Sequence, residues 1–284
     1  MCATPWSLER HPHPRRPWSL ERQIAAIAEA GFDGVSAPAT PDLATLVQRH
    51  GLRLMGRVDT GTARGARARL AAQVAAGAQL INVQLGDHDT PPEQAARVAV
   101  DLIKLGREVG GRVHIETHRD TSTETPEKYE EIARLYRAQT GEDLPTTWDH
   151  SHFAVSKHLL APSFIPRLIR PYRRLIQQSQ IVHCRPFNSQ HCQVPVTNGR
   201  GQLTPEFRDY LPFAEELFVT WLQGPQPGGE LWVCPEMGAS VGYHLSVHPP
   251  TWPDAMRCRA ELLRAWKRAQ KQVPGDARPR ARKV

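Results

Sequence analysis

The 284-residue sequence lacks any long hydrophobic run. No stretch approaches the roughly 18 uninterrupted apolar residues that a membrane-spanning helix requires. The first 18 residues, MCATPWSLERHPHPRRPW, contain no apolar segment of the kind found in secretory signals. We therefore expect neither membrane insertion nor export.

Paired cysteines are also missing. The five cysteines are odd in number, widely spaced and form no C-x-x-C motif: Cys2, Cys184, Cys192, Cys234 and Cys258. This pattern disfavours a disulfide framework and predicts a protein of the reducing cytoplasm.

The positive charge is not spread over the chain. The formal net charge is +7, but residues 256–284 hold ten Lys and Arg against only Glu261 and Asp276. Residues 1–22 add a smaller positive excess, so residues 23–255 carry no net positive charge. We interpret the C-terminal charge as a solvated helix face followed by a flexible basic tail over 272–284, and nucleic-acid binding is disfavoured.

From Ser19 onward, helical and strand patterns alternate with short connections. Ser19 is a good N-cap for a helix whose apolar residues recur at helical spacing up to Gly31. Seven strands are predicted in the segments FDGVSA, LRLMGRV, QLINVQLG, RVHIETH, LPTTWDHSH, SQIVHCR and GELWVCPE. Strands that alternate with crossover helices predict a parallel sheet, and this number of units predicts an α/β protein with a TIM (β/α)8 barrel.

The first strand of that barrel has no clear pattern in the sequence. It would have to precede Ser19, where HPHPRRP contains too much proline for a central strand. The hexapeptide PWSLER occurs at 5–10 and again at 17–22, too close together for a structural repeat. We therefore predict an irregular N-terminal segment over 1–18, a barrel over 19–271 with an irregular or missing first strand, and the tail over 272–284.

Four of the later predicted strands end in a residue that can bind a metal ion. These residues are Glu116, Asp149, His183 and Glu236. Their spacing suits successive barrel units, and barrel sites form at the C-terminal ends of strands. Alternation along each strand places every one of them on the inward face. A divalent cation would offset the cost of burying three carboxylates, so we predict a shared metal site.

With these residues in place, the sequence resembles the xylose-isomerase-like TIM barrel superfamily, of the sugar phosphate isomerase and epimerase type. The resemblance covers roughly 19–270 and rests on SLERQIAAIAEAGFDGVSA followed by Glu, Asp-x-x-His, His and Glu at barrel spacing. It implies one divalent cation on the four residues, with Mn²⁺ or Mg²⁺ favoured and Co²⁺ or Zn²⁺ as further candidates. It also implies that His152, the histidine of Asp-x-x-His, contacts substrate oxygen.

The resemblance further implies a mechanism. One carboxylate, Glu116 or Glu236, removes a proton beside the carbonyl of a keto-sugar or polyol derivative, which gives a metal-bound cis-enediolate, and the other returns the proton. Sugar epimerases usually carry a second acid six residues after the first Glu and an Arg six residues after the His, but Ser122 and Ser189 stand at those positions here. His118 and Arg119 shortly after the first Glu, and Arg185 two residues after the His, are nearby substitutes for binding substrate.

A long polar segment, CRPFNSQHCQVPVTNGRGQLTPE, follows the strand that ends at His183. We predict that it is a loop folded over the site, with Asn188 and His191 as candidate substrate contacts.

Three alternatives to an isomerase or epimerase remain open. A lyase, deglycosidase or dehydratase acting on 3-keto-sugars or inososes by β-elimination would share the proton abstraction. An endonuclease IV-like phosphodiesterase would need further histidine ligands, but the early strands offer Arg57 and Gln84, and His88 is out of phase. A non-catalytic barrel homologue is the third, and homo-oligomer formation is left open.

Overall fold

In the computed structural model, which describes residues 1–226 and 229–273, parallel strands surround a central axis and helices cover them. Eight strands form one sheet in the order β1, β4, β5, β6, β7, β8, β9 and β10. Their bounds are β1 (Cys2–Ala3), β4 (Gly34–Ser36), β5 (Arg53–Thr60), β6 (Leu80–Leu85), β7 (Arg112–Glu116), β8 (Thr146–Asp149), β9 (Ile181–His183) and β10 (Trp232–Cys234). The first and last of these strands lie beside one another, so the sheet curls into a nearly closed barrel. The predicted TIM barrel is confirmed.

Nine α-helices were identified in the described part of the chain. They are α1 (Leu20–Glu29), α2 (Pro41–Arg49), α3 (Ala66–Ala75), α4 (Pro92–Glu108), α5 (Pro126–Thr140), α6 (His150–Ser156), α7 (Arg173–Gln177), α8 (Pro205–Leu222) and α9 (Thr251–Gln272). Side chains at several N-caps fix where these helices begin; Ser19, for example, accepts a hydrogen bond from the backbone N–H of Arg22. None of the described helices is both long and apolar enough to cross a bilayer.

The first strand is present and lies earlier than the sequence analysis placed the barrel. Cys2–Ala3 pairs in parallel with Gly34 and Val35 of β4. The segment HPHPRRP forms a separate antiparallel pair, β2 (Pro12–His13) with β3 (Arg16–Pro17). The barrel therefore begins at Cys2 and not at residue 19. The sequence does not predict this strand because two residues are too few to show the alternation of buried and exposed side chains.

Two other features differ from the predicted boundaries. The segment DHSH was assigned to a strand end, but the strand stops at Asp149 and His150 already begins α6. The predicted helical stretch around Pro162, Pro166 and Pro171 consists of short 3₁₀, π and α turns. In the C-terminal tail assigned to 272–284, residues 274–284 lie outside the described residues.

The inside of the barrel is layered, apolar below and polar above. Its lower layer is a buried cluster formed by Cys2, Met55, Leu80, Ile181, Trp232 and Cys234. Because alternate residues of a strand face the same side, the residue two positions further along each strand faces inward one layer higher. Leu80 is followed in this way by Asn82, Ile181 by His183 and Cys234 by Glu236. The polar layer therefore lies at the C-terminal ends of the strands.

Candidate metal centre

The structure brings the four predicted metal ligands together. Each of Glu116, Asp149, His183 and Glu236 offers one ligand atom, and these atoms lie within 4.8 Å of one another. All four residues are buried. Two ligands on opposite sides of one ion are about 4.2–4.8 Å apart when each bond is about 2.1–2.4 Å. These four residues, called the metal site below, can therefore share a single cation.

Strand register explains why the ligands converge. Asp149 is paired with His183, and His183 is paired with Cys234, two residues before Glu236. Glu116 ends β7, whose last residue pairs with Thr147 of β8. The four residues thus come from four consecutive strands of the ring, all at the same end of the barrel.

His183 lies between the two glutamates. Its Nδ1 is 2.8 Å from Oε1 of Glu116 and 3.3 Å from Oε2 of Glu236. Burial lowers the pKa of His183, but the charges of Glu236 and Glu116 outweigh it and raise the pKa well above its ordinary value. For Glu116, burial raises the pKa of the carboxyl group, but the charge of His183 outweighs burial and leaves the pKa below its usual range. The carboxylates are therefore ionised and directed at one point.

Asp149 has one oxygen fixed and one left over. Oδ1 accepts hydrogen bonds from the backbone N–H of Ser151 at 3.0 Å and from its hydroxyl, because Asp149 is the N-cap of α6. Oδ2 is buried with no hydrogen-bond partner among the described residues. A buried carboxylate oxygen without a hydrogen bond is costly, and a bound cation would satisfy it. Nitrogen atoms of Arg185 and His152 lie 3.3 and 3.4 Å from Oδ2 without forming a hydrogen bond, and an oxygen that can still accept one fits a metal site.

Arg185 carries a buried positive charge beside the ligands. Its side chain contacts Oε2 of Glu236 and lies 3.3 Å from Oδ2 of Asp149, while its Nε donates to the backbone oxygen of Glu236 at 2.7 Å. Arg185 itself is 1% exposed, so its charge is balanced by these carboxylates and not by water. Burial raises the pKa of Glu236, but His183 and Arg185 hold it at about 2.

Two further predicted contacts lie at the site. Nε2 of His152 is 3.4 Å from Oδ2 of Asp149, and burial lowers the pKa of His152 to about 4, so its ring is neutral at neutral pH. The ring of His118 lies 4.3 Å from that of His152. Both histidines are therefore close enough to meet a molecule bound at the metal site.

Asn188 and His191 are not brought to the ligands by any contact within the described residues. Oδ1 of Asn188 accepts the backbone N–H groups of Gln190 and His191, and Nδ1 of His191 faces the backbone oxygen of Gln193. These bonds shape their own loop. The loop itself is attached near the site, because the amide of Gln193 exchanges two hydrogen bonds with the backbone of Gly238. Its role as a cover stays a prediction.

Two polar residues of β6 support the site and were not predicted to do so. The side-chain amides of Asn82 and Gln84 both donate to Oε2 of Glu116, at 2.6 and 3.0 Å. Gln84 was noted only as a residue that cannot replace a histidine ligand. The alternation of Leu80, Asn82 and Gln84 on one face of the strand is the signal that could have identified the pair.

The residues weighed for the phosphodiesterase alternative have other surroundings. His88 is exposed and its Nδ1 lies 2.7 Å from Asp120. Arg57 points into the barrel mouth, where burial opposes its charge but Asp59, Glu236 and Glu116 raise its pKa. The metal site is the one group of metal-binding side chains found in the described residues. A cluster of three ions is therefore not supported there.

Comparison with known proteins gives matches in structure only. No protein-family model and no curated protein matches the sequence. An L-ribulose 3-epimerase has a TM-score of 0.61 at 11% identity, covering 95% of this chain and 96% of its own. A D-tagatose 3-epimerase-like protein has a TM-score of 0.59 at 14% identity, and the match covers 96% of this chain and 100% of that protein. A 3-keto-D-glucoside 4-epimerase from E. coli has a TM-score of 0.52 at 14% identity, and the match covers 86% of this chain and 94% of that protein. The chain therefore has the fold of the xylose isomerase-like TIM barrels.

Proposed function

We propose that this chain is a divalent-metal-dependent isomerase or epimerase of a keto-sugar or polyol derivative. The observation that carries the proposal is the convergence of four buried ligand atoms, from four consecutive strands, within 4.8 Å of one another. The sugar epimerases among the structural neighbours support the substrate class.

The donor set favours a hard cation. Three carboxylates and one imidazole suit Mn²⁺ or Mg²⁺, and the nearest thiol, Cys234, belongs to the apolar layer below. When bound, such a cation supplies Lewis-acid stabilisation of the negative charge that develops on substrate oxygens. No softer ligand is needed for that chemistry.

Glu116 and Glu236 are the groups we assign to proton transfer. Glu116 ends β7 and Glu236 follows β10, and their carboxylate oxygens lie 2.8 and 3.3 Å from Nδ1 of His183. Both are ionised, so either can accept a proton from a carbon beside a carbonyl. Return of the proton to the opposite face of that carbon gives an epimer, and return to the neighbouring carbon gives an isomer.

The surrounding residues would orient the substrate and exclude water. His152 is neutral because burial lowers its pKa to about 4, so it can donate a hydrogen bond to a substrate oxygen or accept one. Glu116 and Asp149 are fully buried, which removes bulk water from the carboxylates and strengthens their interactions with charge. Arg185 keeps Glu236 and Asp149 in place.

Solvent deuterium exchange tests the proposal. We expect the Mn²⁺-loaded protein to introduce deuterium beside the carbonyl of a ketose, and Glu116→Gln and Glu236→Gln to lose this activity while remaining folded. Glu142→Gln, which changes a carboxylate of an exposed ion pair with Arg107, is the matched control. Exchange that persists in both site variants would show that these carboxylates do not move the proton.

Analysis of the products separates the reaction classes. Epimerisation and isomerisation return an intact sugar, whereas β-elimination releases a leaving group and gives an unsaturated product. A nuclear magnetic resonance spectrum of the same deuterium experiment distinguishes them. Elimination without any isomer would replace the proposed isomerase by a lyase.

A further inference from the structure

Arg119 joins two of the loops that follow the C-terminal ends of the barrel strands. It follows β7, but its guanidinium lies 4.5 Å from the ring centre of Tyr243, which follows β10. Those two strands are three positions apart in the ring, so the contact joins loops that follow separate strands of the barrel. Its Nη2 also approaches the backbone oxygen of Val241 at 3.4 Å.

A second guanidinium lies over the same ring. Arg185 is 4.4 Å from the ring centre of Tyr243, and its charge is balanced by Glu236 and Asp149. Tyr243 thus joins the buried cation beside the metal site to the exposed cation at the entrance. Contacts of this kind hold an arginine in position at little cost in entropy.

Arg119 differs from Arg185 in having no carboxylate paired with it among the described residues. In the described residues no carboxylate forms an ion pair with Arg119, which is exposed at the mouth. The acid next to it in sequence, Asp120, is directed at Nδ1 of His88 at 2.7 Å. The entrance therefore presents a positive charge that is held on an aromatic ring and has no carboxylate partner among the described residues.

The loops that meet in this contact carry unusual backbone. Asp120 and Val241 both have a φ of 57°, a region that residues other than glycine rarely adopt. For Val241 the conformation is particularly unfavourable, because its side chain is β-branched. Such strain persists where a particular geometry is required. Here it accompanies the meeting of Arg119 with the loop that bears Tyr243.

The position where sugar epimerases usually carry a second acid supports the same conclusion. Ser122 stands there, fully buried, and its hydroxyl donates to the backbone oxygen of Leu85 at 2.7 Å. That bond uses its only donor, and its neutral hydroxyl supplies no negative charge. This entrance consequently lacks that negative group and has a cation nearby in its place.

From this arrangement we propose that Arg119 binds an ionised group of the substrate, so that the preferred substrates are keto-sugar derivatives bearing a carboxylate or a phosphate. The inference rests on the proposed function. Arginine offers two parallel N–H donors to such an oxyanion, and the charge-assisted hydrogen bonds are stronger than those to a neutral hydroxyl.

Three ligands with one carbon skeleton test this specificity. D-Fructose, D-fructuronate and D-fructose 6-phosphate differ only in the group at carbon 6, which is a hydroxymethyl, a carboxylate or a phosphate ester. We expect the Mn²⁺-loaded protein to bind at least one charged member about tenfold more tightly than D-fructose, as measured by calorimetry. The comparison of the two charged members identifies which oxyanion is preferred.

Variants then assign the preference to Arg119. Arg119→Gln should remove most of the discrimination and leave the affinity for D-fructose within about twofold, whereas Arg119→Lys should retain part of it. Arg134→Gln, which removes an exposed arginine of α5 paired with Glu131, is the matched control and should change neither affinity. Equal binding of all three ligands, binding of none at millimolar concentration, or unchanged discrimination in Arg119→Gln would overturn the proposal.

The two proposals can fail separately. Discrimination that depends on Arg119, without deuterium exchange on any ligand, would leave the anion site standing and contradict the isomerase. Deuterium exchange on D-fructose that is as fast as on both charged ligands would do the reverse.

Discussion

The side-chain amide of Asn82 donates a 2.6 Å hydrogen bond to Oε2 of Glu116, and both residues are buried. Gln84 donates a second bond to the same oxygen. The other oxygen, Oε1, is thereby turned towards His183. Two uncharged amides from the neighbouring strand thus orient the carboxylate of Glu116, and they fix which of its oxygens faces the proposed cation.

Loss of this support should weaken metal binding. Asn82→Ala leaves Oε2 of Glu116 with one donor, so we expect the dissociation constant for Mn²⁺, measured by calorimetry, to rise about 10- to 100-fold. Asn198→Ala, in an exposed turn of the loop after β9, is the control and should bind Mn²⁺ like the unchanged protein. Equal affinity in Asn82→Ala would mean that the amide has no part in orienting the ligand.

Metal binding should also stabilise the fold. A ligand that binds only the folded state at a hundred times its dissociation constant adds about 2.7 kcal/mol to the free energy of unfolding. We expect Mn²⁺ to raise the melting temperature, a chelator to reverse the rise, and Asp149→Asn to abolish it.

The exposed Asp101 provides the control for that measurement. Asp101→Asn should respond to Mn²⁺ as the unchanged protein does. Elemental analysis should find about one ion per chain, because the four ligand atoms surround one point. A metal-free protein under metal-replete conditions, or an undiminished rise in Asp149→Asn, would contradict the shared site.

The four candidate ligands could be located from the sequence because each ends a strand or follows it closely. In a parallel barrel all strands end at one rim, so a polar residue that closes an apolar strand lies near the others of its kind. Glu116, Asp149 and His183 obey this rule directly, and Glu236 lies two residues beyond its strand. Strand alternation, a local property, was sufficient to give their direction.

What could not be predicted depends on long-range contacts or on very short elements. Cys2–Ala3 is too short to show alternation and becomes a strand only because β4 pairs with it. Tyr243 lies in an irregular loop, and its place between Arg119 and Arg185 results from the meeting of three loops. The hydrogen bonds that Asn188 accepts within its own loop could not be predicted from the sequence either.

Gly238 should tolerate no side chain. A Cβ at this position would lie 2.3 Å from the ring of Trp6, which in turn packs edge-on against Tyr243 at 4.8 Å. We expect Gly238→Ala to lower the free energy of unfolding by about 1–3 kcal/mol, because the ring must move in a filled space. Chemical denaturation gives this value.

Two companion variants make that measurement specific. At Gly61 the nearest atom to an added Cβ is 3.7 Å away and the backbone is unstrained, so Gly61→Ala should be close to neutral. Adding Trp6→Ala to Gly238→Ala should cost less than the sum of the two single changes, since the clash is gone. Additive costs would show that the two side chains do not compete for the space.

Asp254 should hold the long loop after β9 in place. Its carboxylate accepts the backbone N–H of Val196 at 2.8 Å and both the N–H and the hydroxyl of Thr197. Asp254→Ala leaves these buried donors without partners, at about 1–3 kcal/mol for each group. We expect faster hydrogen exchange in residues 194–204, with Asp209→Asn on α8 as the control. Unchanged protection there would show that the loop is held by its other contacts.

His150 should make the fold sensitive to acid. Its ring stacks on Trp148 with centroids 5.1 Å apart, and burial lowers its pKa to about 4. The unfolded chain binds a proton near the ordinary pKa of about 6.5, so lowering the pH from there to 4 favours unfolding.

His150→Phe removes this penalty. Its free energy of unfolding should gain about 2 kcal/mol relative to that of the unchanged protein between pH 7.5 and pH 5. Urea denaturation at the two pH values measures the gain, and the same change at the exposed His50 should give none. An equal effect of His150→Phe at both pH values would mean that folding does not shift the pKa of this ring.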